Sequence, residues 1–186
     1  MGWRDDISDA VYLALCAVFN MNPQEKASMK KFVPAYMEHT TNIQAPRDMD
    51  ICYYAISELG DSGFDYVQFN EVVVKGVPKV QIKKTIPVDV LLTFYGDSAD
   101  DEAEMFWSVF QCDTGADSAR ALLRKRNIAP IGNPGIKRPV SVYETEGTYQ
   151  RRRCDVHLYL AYLYVTETGT DYVNVAPEIV IDSSNN

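Results

Sequence analysis

Between Cys154 and Val165 the chain reads CDVHLYLAYLYV, a run that is largely apolar on both faces of an extended strand. Val156, Leu158, Leu160, Tyr162 and Tyr164 alternate onto one face, while Tyr159, Ala161 and Leu163 share the other. A strand of this kind is expected inside a sheet, covered on both faces. A second strand lies in KKTIPVDVLLTFYG, where Ile86, Val88, Val90, Leu92 and Phe94 alternate with Asp89, Thr93 and Tyr95. Pro87 has no N–H for a ladder, so its end of that strand is expected at an edge or bulge. Residues 50–58, DICYYAISE, form a third candidate, closed by the turn residues LGDSG.

Helical spacing governs three other segments. From Asp6, the residues Ile7, Ala10, Val11, Ala14, Leu15 and Val18 make one apolar stripe, with Asp5 and Asp6 suiting the positive end of the helix dipole. After Gly96, the capping residues Asp97 and Ser98 precede Ala99, Ala103, Phe106 and Phe110 on one helical face. TGADSARALLRKRN predicts a further helix, with Thr114 as its cap and Arg124, Lys125 and Arg126 at its end. A short helix near 24–32 is expected in the Pro-broken stretch between Asn20 and Asp50.

Two hairpins complete the pattern. YVQFNEVVVKGVPKVQIKK, broken at Gly76-Val77-Pro78, predicts a projecting hairpin near 66–83 that packs on a neighbouring subunit or folds back on its own sheet. KRPVSVYETE and YQRRRCDVHLYLAYLYV flank Gly147-Thr148. If those two residues are the loop, Glu144 falls opposite Arg151, Tyr143 opposite Arg152 and Val142 opposite Arg153. Helix, strands, two helices and strands together predict an α+β fold: a mainly antiparallel sheet with helices packed on a face. Residues 1–175 read as a single domain and 176–186 as an extended C-terminal arm.

Charge and residue inventory then narrow the function. With 26 acidic against 18 basic residues the formal net charge is −8, which disfavours a protein built to grip phosphate backbones. Cys16, Cys52, Cys112 and Cys154 form no CxxC pair and read as reduced thiols. No run approaches the roughly 18–20 apolar residues of a membrane span, and no phosphate-binding glycine loop is present. His39 and His157 are the only histidines; His157, two residues from Asp155, is the better acid–base candidate. Asp97, Asp100, Asp101, Glu102 and Glu104 could hold a catalytic or metal-binding pair, but the start of a helix accounts for their crowding. Arg151, Arg152 and Arg153, with Lys137 and Arg138 nearby, alternate between strand faces and suit pairing or subunit contact better than nucleic acid.

Several segments, taken in order, resemble a known family. NIQAPRDMDICYYAISEL enters a strand through a Pro-containing lead, and VDVLLTFYGDSADDEAEMFWSVF is a strand ending in FYG that runs into an acidic helix. ALLRKRNIAPIG leaves a helix through an Ile-Ala-Pro loop, and YETEGTYQRRRCDVHLYLAYLYV turns into a long apolar strand. Over roughly residues 42–175 this arrangement resembles the neck or tail-terminator proteins of long-tailed bacteriophages. The resemblance implies a structural virion protein assembled in the host cytoplasm, with no catalytic, cofactor-binding or metal-binding residue. It further implies a homo-oligomeric ring, expected to be a hexamer, that caps the tail tube and docks to the head connector or stopper. Contact with a tail sheath and passage of DNA through the opening, without sequence-specific binding, follow from the same placement. Val72, Val73, Val74, Lys75, Val77, Arg151, Arg152 and Arg153 are the expected interface residues. The alternatives are a head-completion (stopper) or other minor tail protein and, in another class, a small hydrolase using the acidic helix start or His157.

Overall fold

The computed structural model describes residues 2–35, 50–59, 67–112, 118–132, 135–146 and 149–168. In chain order these form α1 (Trp3–Val18), α2 (Lys26–Lys31), β1 (Phe32–Pro34), β2 (Ile51–Glu58), β3 (Val67–Val74) and β4 (Val77–Tyr95). They continue with α3 (Ala99–Gln111), α4 (Ala119–Arg124), β5 (Ile128–Pro130), β6 (Val140–Glu146) and β7 (Tyr149–Thr168). The result is the expected α+β class, a seven-stranded sheet ordered β1-β2-β4-β7-β5, with β3 beside β4 and β6 beside β7. Only β1 and β2 run parallel.

β4 and β7 form the axis of the sheet, paired antiparallel from Val80 opposite Thr168 to Tyr95 opposite Arg153. Their even-numbered residues from Ile86 to Phe94 and from Cys154 to Tyr162 share one face and are buried. The apolar stripes of α1 and α3 and the buried Ala119 and Leu123 of α4 join them in one core. An aromatic chain ties the layers: Phe32, Phe19, Phe94, Phe106 and Phe110 follow one another with ring centroids 5.5–6.3 Å apart. Polar locks hold α1 against the sheet, where the Tyr162 hydroxyl donates to Asp6 Oδ2 at 2.8 Å and Ser8 Oγ lies 3.3 Å from the Tyr54 hydroxyl.

Three expectations are corrected. β7 is interior by pairing, yet its second face is only partly covered: Tyr159 and Ala161 are half-buried and Leu163 is exposed. The apolar stripes of the helices all turn to the even-numbered face, and Asp89, Arg153, Asp155 and His157 share the other. Tyr164 is exposed as well, because it lies beyond the last helix-covered pair, Ile86 and Tyr162. Ser118, not Thr114, caps α4, its hydroxyl accepting from the Ala121 N–H at 3.2 Å; Thr114 lies outside the described residues.

Pro87 sits within a central strand, and the pairing explains how. Its carbonyl accepts from the Leu59 N–H, so its nitrogen points the same way, into the gap where β2 ends at Glu58 and β3 has yet to begin at Val67. No bond to β7 is lost. At the far end, Gly96 turns the chain from β4 into α3 at φ +115°, and a Cβ there would collide with the Asp50 carboxylate.

Two predictions test this core. Leu158→Ala, at a fully buried site on the axis, is expected to lower unfolding stability by about 2–5 kcal/mol in urea titrations; a loss under about 1 kcal/mol would show that the helices do not close tightly on β7. Burial pushes the Tyr162 phenol up to about 12, with the Asp6 hydrogen bond next in effect, and burial likewise lifts Tyr12 to about 12. The folded state therefore keeps protons that the unfolded chain loses above its ordinary phenol value of 10. Their contribution is intact below pH 10 and declines between pH 10 and 12, and Tyr162→Phe is expected to make that decline shallower. An unchanged slope would place the sensitivity elsewhere.

Candidate assembly interface

Beyond Ile86 the axis leaves the helices behind. β3 pairs with β4 from Val67 opposite Lys84 to Val74 opposite Val77, and β7 continues on the other side of β4 to Thr168. The result is a three-stranded ribbon, with β4 in its centre, projecting roughly 30 Å past the two-layered core. Its turn is Lys75-Gly76, both at positive φ (52° and 80°), the mirror-image turn that matches the twist of a two-residue hairpin. Val77 and Pro78, expected in the break, already belong to β4. The Gly76 part of the expected break holds; Lys75 was not legible as a turn residue because a non-glycine residue seldom takes a left-handed conformation.

That turn sets which backbone groups face outward. Val74 and Val77 close the loop as a hydrogen-bonded pair, so the even-numbered residues of β3 bond to β4. Val67, Phe69, Glu71 and Val73 therefore present their N–H and C=O groups along the outer edge, where β3 has no other strand among the described residues. Their side chains share the sheet face that the helices cover farther along. Phe69 is 66% exposed and Val73 73%. On the opposite face Val77 is 55% exposed, with Leu163 and Val165 also open to solvent. Val72 and Val74 are half-buried, and Lys75 stands exposed at the tip. An edge of this length, with apolar residues on both faces and one Glu as its charge, is a template for another chain.

The arginine run lies elsewhere. Tyr95 opposite Arg153 is the last pair of the axis, up to roughly 60 Å from the hairpin tip. The hairpin register agrees with expectation, placing Glu144 opposite Arg151, Tyr143 opposite Arg152 and Val142 opposite Arg153. The Arg153 guanidinium reaches along its own strand to Asp155, with contacts of 2.6–3.1 Å. Arg152 is exposed on the other face beside the open Tyr143; the Arg151 side chain lies outside the described residues. The eight expected interface residues thus lie at the two ends of the β4–β7 axis.

The candidates for chemistry fare differently. Asp155 is taken by Arg153, and His157 instead meets Asp89 across the sheet, its Nδ1 2.9 and 3.1 Å from the two carboxylate oxygens. The signal was Asp89 alone on the polar face of an apolar strand, but choosing it required the β4–β7 register. An imidazole oriented by a carboxylate is half of a hydrolytic triad. Its neighbours on that face are Leu91, opposite it, and Tyr159, stacked at 6.3 Å; the nearby serine, Ser57, stands on the far side of Asp89, where its hydroxyl donates to the Asp89 backbone carbonyl and not to the imidazole. Lys137 lies 5.0 Å from the Tyr159 ring centroid, and a hydrogen bond to the phenol raises its affinity for its proton. In the acidic helix start, Asp100 accepts from Ser141 and Glu102 pairs with Lys31, so both carboxylates serve as cross-links between elements. No group of three or more His, Cys, Asp or Glu side chains able to hold a metal ion occurs among the described residues. His39 and residues 176–186 lie outside them. No helix among them is long and apolar enough to cross a membrane.

None of the curated proteins compared with the chain matches it. A family model described as phage neck terminator protein does match, over residues 5–186. The match extends the resemblance seen over residues 42–175 to residues 5–41, which hold most of α1, and to residues 176–186. The family is one of structural phage neck proteins and not a family of enzymes. With nearly its whole length matched, the chain belongs to the phage neck terminator protein family and is a structural protein of the phage neck.

Proposed function

We propose that the chain is the subunit of a homo-oligomeric ring, a hexamer, that caps the finished tail tube and receives the head connector. The observation that carries this reading is the ribbon of β3, β4 and β7, which exposes apolar side chains on both faces and is open along one edge among the described residues. A lone subunit gains nothing from carrying such a surface into water, whereas a neighbour that covers it gains apolar burial and strand pairing. A ribbon at one end of the subunit and a differently built surface at the other favour head-to-tail contact, the arrangement that closes into rings.

In this ring, Val72, Val73, Val74, Lys75 and Val77 act in the subunit contact, and the end that carries Arg151, Arg152 and Arg153 faces another component. Tail tube and connector occupy the two faces of the ring, with a sheath as a further contact in contractile particles. The net charge of −8 suits a wall past which DNA slides, since acidic side chains repel its phosphates. The work is geometric and uses no catalytic residue. Residues 1–175 serve as the domain and 176–186 as an arm, and assembly takes place in the host cytoplasm before the subunit joins the virion.

Shortening the ribbon tests the reading. A variant in which residues 71–80 are replaced by a two-residue turn joins the partners Asn70 and Gln81, keeps every pair from Ile86 to Tyr95 and is expected to melt within about 5 °C of the parent. Native mass spectrometry and negative-stain images, with and without tail-tube protein, are expected to show rings for the parent and monomers for the variant. Rings of normal size from the variant would refute the role given to the ribbon.

A further inference from the structure

The ribbon differs from the rest of the protein in charge. Between Val67 and Thr85 it carries Lys75, Lys79, Lys83 and Lys84 against Glu71, in a chain whose net charge is −8. Lys79 and Lys83 lie on the same face as Val77, Leu163 and Val165, the face turned away from the helical side of the sheet. Lys79 is paired with Glu167 at 3.2 Å, which leaves Lys83 as the main cation of that face, with Lys75 exposed at the tip beyond it.

A surface of opposite character stands on α3. Its buried residues, Ala99, Ala103, Phe106 and Phe110, use one side of the helix. The outer side presents Asp101, Glu104, Met105, Ser108 and Val109, all exposed, at the spacing of neighbouring positions on one helical face. Met105 is 42% exposed and Val109 44%, so the acidic first turns lead into an apolar step. Charge in these turns favours the helix dipole, but that does not explain two large apolar side chains in solvent beside it.

We propose that the outer face of α3 in one copy of the chain is the seat for the ribbon of the next copy. Val77, Leu163 and Val165 pack on Met105 and Val109, while Lys75 and Lys83 face Asp101 and Glu104. The inference rests on the ring reading and adds the partner surface to it. The occupant is a second copy because the two patches complement each other in both charge and apolarity while lying on different elements, as a head-to-tail contact requires.

Charge reversal on both surfaces of the full chain tests it. Asp101→Lys with Glu104→Lys, and separately Lys75→Glu with Lys83→Glu, are each expected to raise the apparent dissociation constant of the ring about tenfold or more in light scattering. Mixing the two variants in equal amounts is expected to restore rings, because each interface in an alternating ring again joins opposite charges. Combining all four changes in one chain has the same expected effect. Thermal melts of each variant report folding, and recovery on mixing excludes misfolding as the cause of the loss. If the parent forms rings and either reversal leaves them unchanged, or mixing gives no recovery, the α3 seat is wrong while the ring reading stands. If the parent stays monomeric alone and with tail-tube protein, the ring reading fails and this inference with it.

Discussion

The antiparallel pairing of β4 with β7 is the contact on which the rest of the molecule depends. Because both strands are long and nearly in step, from Val80 opposite Thr168 to Tyr95 opposite Arg153, one ladder serves two purposes. Over the pairs from Ile86 to Phe94, helices α1, α3 and α4 close on its even-numbered face and create the core. From Thr85 outward the same ladder continues without that cover, and β3 joins it to make the ribbon. The stiffness of the ribbon follows from this continuity: its central strand is anchored in the core and cannot pivot at a loop.

Helix cover on one face only gives the sheet its second character. The odd-numbered residues hold hydrogen-bonded pairs, Arg153 with Asp155 and His157 with Asp89, around the aromatic rings of Tyr159, Tyr53 and Tyr95. Such pairs satisfy hydrogen-bonding groups at little net gain where water still reaches them. Their arrangement accounts for the acid–base candidates without invoking a reaction. At the opposite end of the subunit the ribbon is under a different physical demand, since no charge on its edge strand but Glu71 discourages association.

Much of this was legible in the sequence because period and burial agree. The stripes of α1 and α3 were read residue by residue, and the alternation from Ile86 to Phe94 gave the buried face of β4. The Gly147-Thr148 loop predicted the β6–β7 register because a two-residue connection fixes which residues meet. What escaped was information held between segments. Apolar residues on both faces of β7 signalled burial, but local spacing does not tell cover by the chain's own helices from cover by another copy. The partner of His157 escaped similarly, since Asp89 is 68 residues away and Asp155 only two. The family match, finally, covers α1 and the ribbon, the parts where short motifs are least distinctive.

Hydrogen–deuterium exchange, followed peptide by peptide in isolated subunits and in assembled particles, addresses the central claim most directly: that one ladder is a core at one end and an assembly surface at the other. Peptides covering Ile86–Phe94 and Cys154–Tyr162 are predicted to exchange slowly in both states. Peptides covering Val67–Thr85 are predicted to exchange quickly in the subunit and to become protected on assembly. Equal exchange of the ribbon in the two states would contradict the account, because a surface that gains no protection is not the one that joins the particle.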